Sequence, residues 1–141
     1  DRTMSSSYPS FRLAVDAVIE LCGHGWEHGG GQLVLTSCMP LLAHPSLWIR
    51  SSVVMALLDM FRHISAKKAD DTVTALESLT VTAIPQLVPL IVAILAEDPE
   101  KTFRHPDNQA DFEEPAEYRG CFEACRQRIG ELVGAVGAVH P

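Results

Sequence analysis

The sequence predicts an all-α protein of the α-solenoid type: about two antiparallel helical hairpins preceded by one further helix. Three observations carry this. Hydrophobic residues make up 47% of the chain and aromatic ones only 6%, a Leu, Val and Ala surplus that suits helix-on-helix packing better than an aromatic-rich sheet. Leu47, Trp48, Val53, Val54, Leu57, Leu58 and Phe61 recur at helical spacing, which makes one stripe apolar. The preceding run Leu33, Val34, Leu35, Cys38, Met39, Leu41 and Leu42 turns into this stripe at Pro45, and helix, short Pro-containing turn, helix is the shape of one solenoid unit.

Taken in order, residues 1–9 form a polar lead closed by Pro9, and Ser10 is the expected N-cap of a first helix over residues 10–22. Phe11, Leu13, Ala14, Val18, Leu21 and Cys22 supply its apolar side. Gly23, Gly25, Gly29, Gly30 and Gly31 end it in an exposed loop, since glycine weakens helices and permits left-handed backbone. Residues 32–64 form the first hairpin, with its second helix starting at Ser46. Asp70 or Asp71 is expected to cap the helix that follows.

Residues 71–139 form the second hairpin. Its first arm, residues 73–97, is almost wholly apolar or small, and Pro85 and Pro89 predict a break near Ile84. Residues 98–117 carry seven carboxylates against Lys101 and Arg104, with Pro99, Pro106 and Pro115 expected to keep most of the segment out of helix. An acidic loop of this length is a candidate binding element, with Asp107, Asp111, Glu113 and Glu114 as protein-contacting carboxylates. The last helix is expected to start within residues 113–117, where carboxylates favour a helix N-terminus, and to bury Phe122, Cys125, Ile129, Leu132, Val133 and Val136.

The 141 residues are one domain's worth of chain. A formal charge of −7 argues against a free-standing nucleic-acid-binding domain, because neutralising phosphates takes a net basic face. A curved helical array can still be acidic outside and basic inside. Asp1 to Ser10 are polar, unlike an apolar leader, and no membrane insertion is expected: a span takes roughly 18 apolar residues, and the best run, residues 84–96, is shorter and holds two prolines. Starting at Asp1 and ending at His140-Pro141 directly after a helical run, the chain reads as a segment of a longer protein whose end faces meet flanking repeats.

The chemical candidates are weak. Cys22, His24 and His28 have the softness zinc favours but no evident fourth ligand, and Cys121 and Cys125 read as core residues rather than ligands. Ser51 and Ser52 lack the glycines of a nucleophile elbow, and the triple glycine has neither strand nor lysine to make a phosphate loop. No enzyme, metal or cofactor is expected. Arg50 carries two equal readings. One is a bond that ties neighbouring repeats; the other sets Arg50, Arg62, His63, Lys67 and Lys68 on a concave face as contacts for an anionic partner such as RNA, where the planar guanidinium donates two bonds at once.

Residues 44–58 follow the HEAT pattern of apolar helix end, Pro turn and hydrophobic-Arg helix start. More narrowly, His44-Pro45-Ser46, Ile49-Arg50-Ser51-Ser52, Ala56-Leu57 and Phe61-Arg62-His63 resemble the exportin-type karyopherins of the importin-β superfamily. Ala83-Ile84-Pro85 with Leu87, and the acidic residues 110–114 followed by Phe122 and Arg126, resemble the next repeat and acidic segment of that family. The resemblance spans roughly residues 33–139. It implies a nuclear transport receptor that shuttles between nucleus and cytoplasm, passes nucleoporins, and exports cargo such as precursor-microRNA hairpins together with the GTP form of the GTPase Ran. A generic HEAT or armadillo protein-binding scaffold is the alternative, and a helical metal-binding enzyme the more remote one.

Overall fold

The computed structural model describes the backbone over residues 2–67 and 74–140, and side chains over 7–67 and 74–140. Among these residues the chain is all-helical, with no strand. Seven longer helical segments follow one another, α1 (Arg2–Gly23), α2 (Gly30–Ala43), α3 (Leu47–Ala66), α4 (Thr74–Leu95), α5 (Pro99–Thr102), α6 (Pro106–Asp111) and α7 (Pro115–Val139), with a single 3-10 turn, Trp26–His28, between α1 and α2.

The centre of the fold is α3. Leu47, Ile49, Val53, Val54, Ala56, Leu57, Leu58, Met60, Phe61 and Ile64 are all buried, more than one stripe, and a helix apolar on several sides has to be surrounded. It is flanked by α7 and α1 and backed by α2, while α4 lies mainly against α2 and touches α7 less. The helices thus form two layers, α1–α3–α7 and α2–α4. Ser46 caps α3, its side chain accepting from the Ile49 amide at 3.2 Å.

Several expectations are corrected by tertiary contacts. α1 starts ahead of Pro9 rather than at Ser10, because the buried Tyr8 anchors that turn through its hydroxyl, bonded to Ser46 at 2.6 Å and to Asp111. Its buried face is Tyr8, Val15 and Cys22, seven residues apart, whereas Phe11, Leu13 and Leu21 are exposed. Trp48 also lies outside the expected core stripe, its ring stacked under Arg12 and its Nε1 donating to Asp16 at 3.2 Å. In α2 the middle turn, Val34–Cys38, widens to a π-helix before a 3-10 ending. Pro40 has no amide to donate there, and the Met39 amide reaches back to the Val34 carbonyl.

α4 runs unbroken through Pro85 and Pro89. The amides these residues lack would have met the carbonyls of Val81 and Pro85 four residues earlier, and Val81, Pro85 and Pro89 all lie on the exposed side. The freed carbonyls therefore face outward rather than into the core. The unbroken helix also overturns the expected limit on apolar length: α4 is 22 residues long and, by length and composition, apolar enough to cross a membrane, with 28% of its most apolar window buried.

The segment expected as an acidic loop, residues 98–117, is mostly helical. Pro99, Pro106 and Pro115 each occupy the first position of a helix, where a missing amide is no loss and a fixed φ is an advantage. Asp98 and His105 accept from the amides of Glu100 and Asp107 as caps. Phe103, Phe112, Tyr118 and Phe122 then pack as an aromatic cluster with centroids 5.1–6.0 Å apart. On α7, Tyr118, Phe122, Cys125, Ile129, Leu132 and Val139 are buried, while the expected Val133 is exposed. The expected cap residues Asp70 and Asp71 lie outside the described residues.

Candidate functional site

The His44-Pro45-Ser46 block sits where α1, α3 and α6 meet. Asn108 of α6 is fully buried, and its Oδ1 accepts from the Leu47 amide at 2.7 Å. Its Nδ2 donates to the carbonyls of Pro45 at 2.9 Å and Thr102 at 2.7 Å. His44 Nδ1 accepts from the Ser46 amide at 3.0 Å. Burial holds the His44 pKa below its ordinary value, against the pull of nearby Asp107. Asp111, 3% exposed at its side chain, takes Arg12 at 2.5 Å and the Tyr8 hydroxyl. The Tyr8 pKa is driven up chiefly by burial.

Arg50 is inside the protein. It is 1% exposed, ion-paired with Glu97 just beyond α4, and neighboured by Tyr118 and Cys125 of α7. Its Nε and Nη2 have no hydrogen-bond partner among the described residues, and burial lowers its pKa. Beside it, Arg126 Nη2 donates to the carbonyls of Leu95 and Glu97 at 3.1 and 3.0 Å, satisfying the open end of α4. Arg50 and Arg126 together fasten α4 to α3 and α7. As a contact for an external anion Arg50 is therefore corrected: α7 and the residues after α4 cover it.

The other expected cations do not gather into one basic face. Arg62 is paired with Glu131 at 3.1 Å. His63 meets Glu27 at 2.7 Å, a bond that lowers the Glu27 pKa. Lys67 is exposed just past α3, and Lys68 lies outside the described residues. The acidic set divides as well. Asp111 is committed to Arg12 and Tyr8, and Asp107 is mostly covered beside His105 at 3.8 Å. Glu113 and Glu114 remain exposed, at the start of α7.

Of the metal candidates, Cys22 is buried while His24 and His28 are exposed. Among the described residues, no three His, Cys, Asp or Glu side chains form a group that could hold a metal ion. Burial raises the pKa of Cys22, Cys38 and Cys125. Cys121 is exposed rather than in the core.

Two surface features were missed in the sequence. The outer side of α4 presents Val81, Val88, Val92 and Leu95, and Glu77 is the only charged residue of that helix. A groove of about 460 Å³ runs between α1, α3 and α7, with Asp16 and Trp48 on one side and Cys121 and Arg128 on the other. Spacing could have given part of the groove, since Cys121, Cys125 and Arg128 recur at four and three residues along one helix face. No family model, no curated protein and no solved structure matches this chain.

Proposed function

We propose that the chain is a non-catalytic helical scaffold that binds protein through the outer side of α4, the occupant being a further helical hairpin stacked on the α2–α4 layer. The observation that carries this reading is the chemistry of that side. Val81, Val88, Val92 and Leu95 are 45–59% exposed on a helix whose sole charged residue is Glu77. They recur at intervals of three, four and seven, forming a ridge that fits the groove of another helix. The layering supports the same reading: α4 already stacks on α2 as α7 stacks on α3, and a helical pair that repeats this step covers the ridge.

A photo-crosslinking residue at Val88 in the full-length protein tests this. Crosslinks to an amphipathic helical segment, of the same chain or of a partner protein, are the expected result. Crosslinks to lipid, which the length and composition of α4 also allow, would overturn the protein-binding reading.

The narrower proposal is a segment of an exportin-type nuclear transport receptor that carries cargo with the GTP form of Ran. It is supported by the helix, Pro turn, helix unit of α2 and α3 and by the resemblance of residues 44–63. Its RNA-binding part is weakened by the burial of Arg50 and the pairing of Arg62. Retention of full-length protein by GTP-loaded but not GDP-loaded Ran would support it. Equal retention by both forms, or by neither, leaves the general scaffold.

A further inference from the structure

The groove between α1, α3 and α7 is lined by residues of all three helices together with Phe112. Val54, Met55 and Phe112 make an apolar floor, and Ile19 and Trp48 form one wall. Its volume of about 460 Å³ lies in the range of small-molecule sites, roughly 300–1,000 Å³. The charges at its two rims differ. Asp16 is occupied: Oδ2 accepts from Trp48 Nε1 at 3.2 Å and Oδ1 from Ser52 Oγ at 3.0 Å.

Arg128, at the opposite rim, is not. Arg12, Arg50, Arg62, Arg119 and Arg126 each hold a carboxylate, whereas Arg128, like the exposed Arg104, has none among the described residues; unlike Arg104 it borders the groove, where it donates to the Met55 sulfur at 2.9 Å. A thioether is a weak acceptor. The exposed guanidinium thus lies at the mouth of an apolar groove with most of its donors facing solvent rather than protein, an arrangement complementary to a carboxylate joined to an apolar body.

We propose that this groove binds a free, medium-chain fatty acid or a similarly built amphiphilic carboxylate, with the carboxylate on Arg128 and the apolar chain lying over Met55, Val54 and Phe112 toward Trp48. The direction is fixed at the opposite rim by Asp16, which repels a carboxylate, and by Asp111, which already holds the Arg12 guanidinium stacked on Trp48. The proposal is independent of the α4 surface, since the two lie on different helices.

Dodecanoate below its micelle concentration is the probe, with dodecanol as its uncharged counterpart, both measured by titration calorimetry. Saturable dodecanoate binding is expected. Arg128→Gln should weaken it by about tenfold or more, the worth of a charge-assisted hydrogen bond, and leave dodecanol binding unchanged. Ala124→Trp, which places a bulky ring in the groove, should abolish the binding of both. Absence of dodecanoate binding, equal binding by Arg128→Gln, or full binding by a folded Ala124→Trp would each overturn the proposal. Should Ala124→Trp fail to fold, the contrast between the two ligands in Arg128→Gln decides alone.

Discussion

Arg50 on α3 and Glu97 just past α4 form an ion pair that joins the two helical layers, with the guanidinium 1% exposed and the carboxylate side chain 32% exposed. The pair explains why a charged residue stands in the most buried helix of the protein. Arg50 cannot be left uncompensated there, because a buried cation without a partner costs far more than an exposed one.

Removing the carboxylate alone should therefore destabilise the fold. Glu97→Gln is expected to cost about 1–3 kcal/mol, with water reaching the half-open end of the pair and limiting the loss. The double variant Arg50→Met with Glu97→Gln should recover at least half of it, since the buried charge is then gone as well. Urea unfolding of the three proteins checks this. A double variant less stable than Glu97→Gln alone would mean that Arg50 contributes through contacts other than the pair.

Asn108 makes three hydrogen bonds to backbone groups, two in the distant residues 45–47 and one at Thr102 six residues before it, at 2.7, 2.9 and 2.7 Å. Asn108→Ala leaves those groups without partners in a buried place and is expected to cost on the order of 2–4 kcal/mol. Asn108→Asp should also destabilise, because a carboxylate cannot donate to the carbonyls of Pro45 and Thr102. Thermal unfolding reads both. A loss within about 0.5 kcal/mol, the ordinary range for a surface change, would contradict the role assigned to Asn108.

The same substitution should have opposite signs at two glycines. A Cβ on Gly30 would lie 2.3 Å from the Cys22 carbonyl oxygen and 2.7 Å from that of Gly25, backbone atoms that cannot step aside. Gly30→Ala should cost about 1–3 kcal/mol. At Gly130, inside α7, a Cβ meets nothing within 4 Å, and Gly130→Ala should stabilise by about 0.5–1 kcal/mol through helix propensity. Urea midpoints of the two variants move in opposite directions if the approach at Gly30 is as close as described.

His44 supplies the pH dependence. Its neutral Nδ1 accepts the Ser46 amide, and burial keeps its folded pKa below the ordinary value. The unfolded chain takes up the proton at about pH 6.5, before the folded protein does. The stability due to His44 is therefore complete above that pH and is lost as pH falls through the lower folded pKa. Unfolding free energy measured from about pH 8 downward should decline below about 6.5, and His44→Gln should flatten this part of the curve. An unchanged slope in the variant would assign the pH dependence to another group.

The helical class was legible in composition and in apolar spacing, and so was the most buried helix. Leu47 to Ile64 is apolar at nearly every position that can face a neighbour, so no arrangement leaves it at the surface. The candidate site was less legible, because a side chain's role depended on what covered it. The sequence context of Arg50 suits a bond between neighbouring repeats and an exposed contact equally, and the choice is made by α7, which starts sixty-five residues further along the chain and lies over it. Spacing puts Arg128 on one face with Cys121 and Cys125, but whether an arginine meets a carboxylate depends on which side chains the fold brings to it: five do, and among the described residues Arg104 and Arg128 do not.

The prolines mark the same division. By itself the sequence determined that Pro85, Pro89, Pro99, Pro106 and Pro115 each remove an amide donor, a property of the covalent ring. Whether that loss breaks a helix was decided by tertiary structure. Pro85 and Pro89 lie on the outer side of α4, where the freed carbonyls are not buried, and the helix continues. Pro99, Pro106 and Pro115 lie at first positions, where no partner was needed, and each starts one. The physical reason is that a missing hydrogen bond costs free energy only where it orphans a group that burial denies water: at a first position nothing is orphaned, and on the outer side of α4 the orphaned carbonyls are not buried, which only the assembled fold decides.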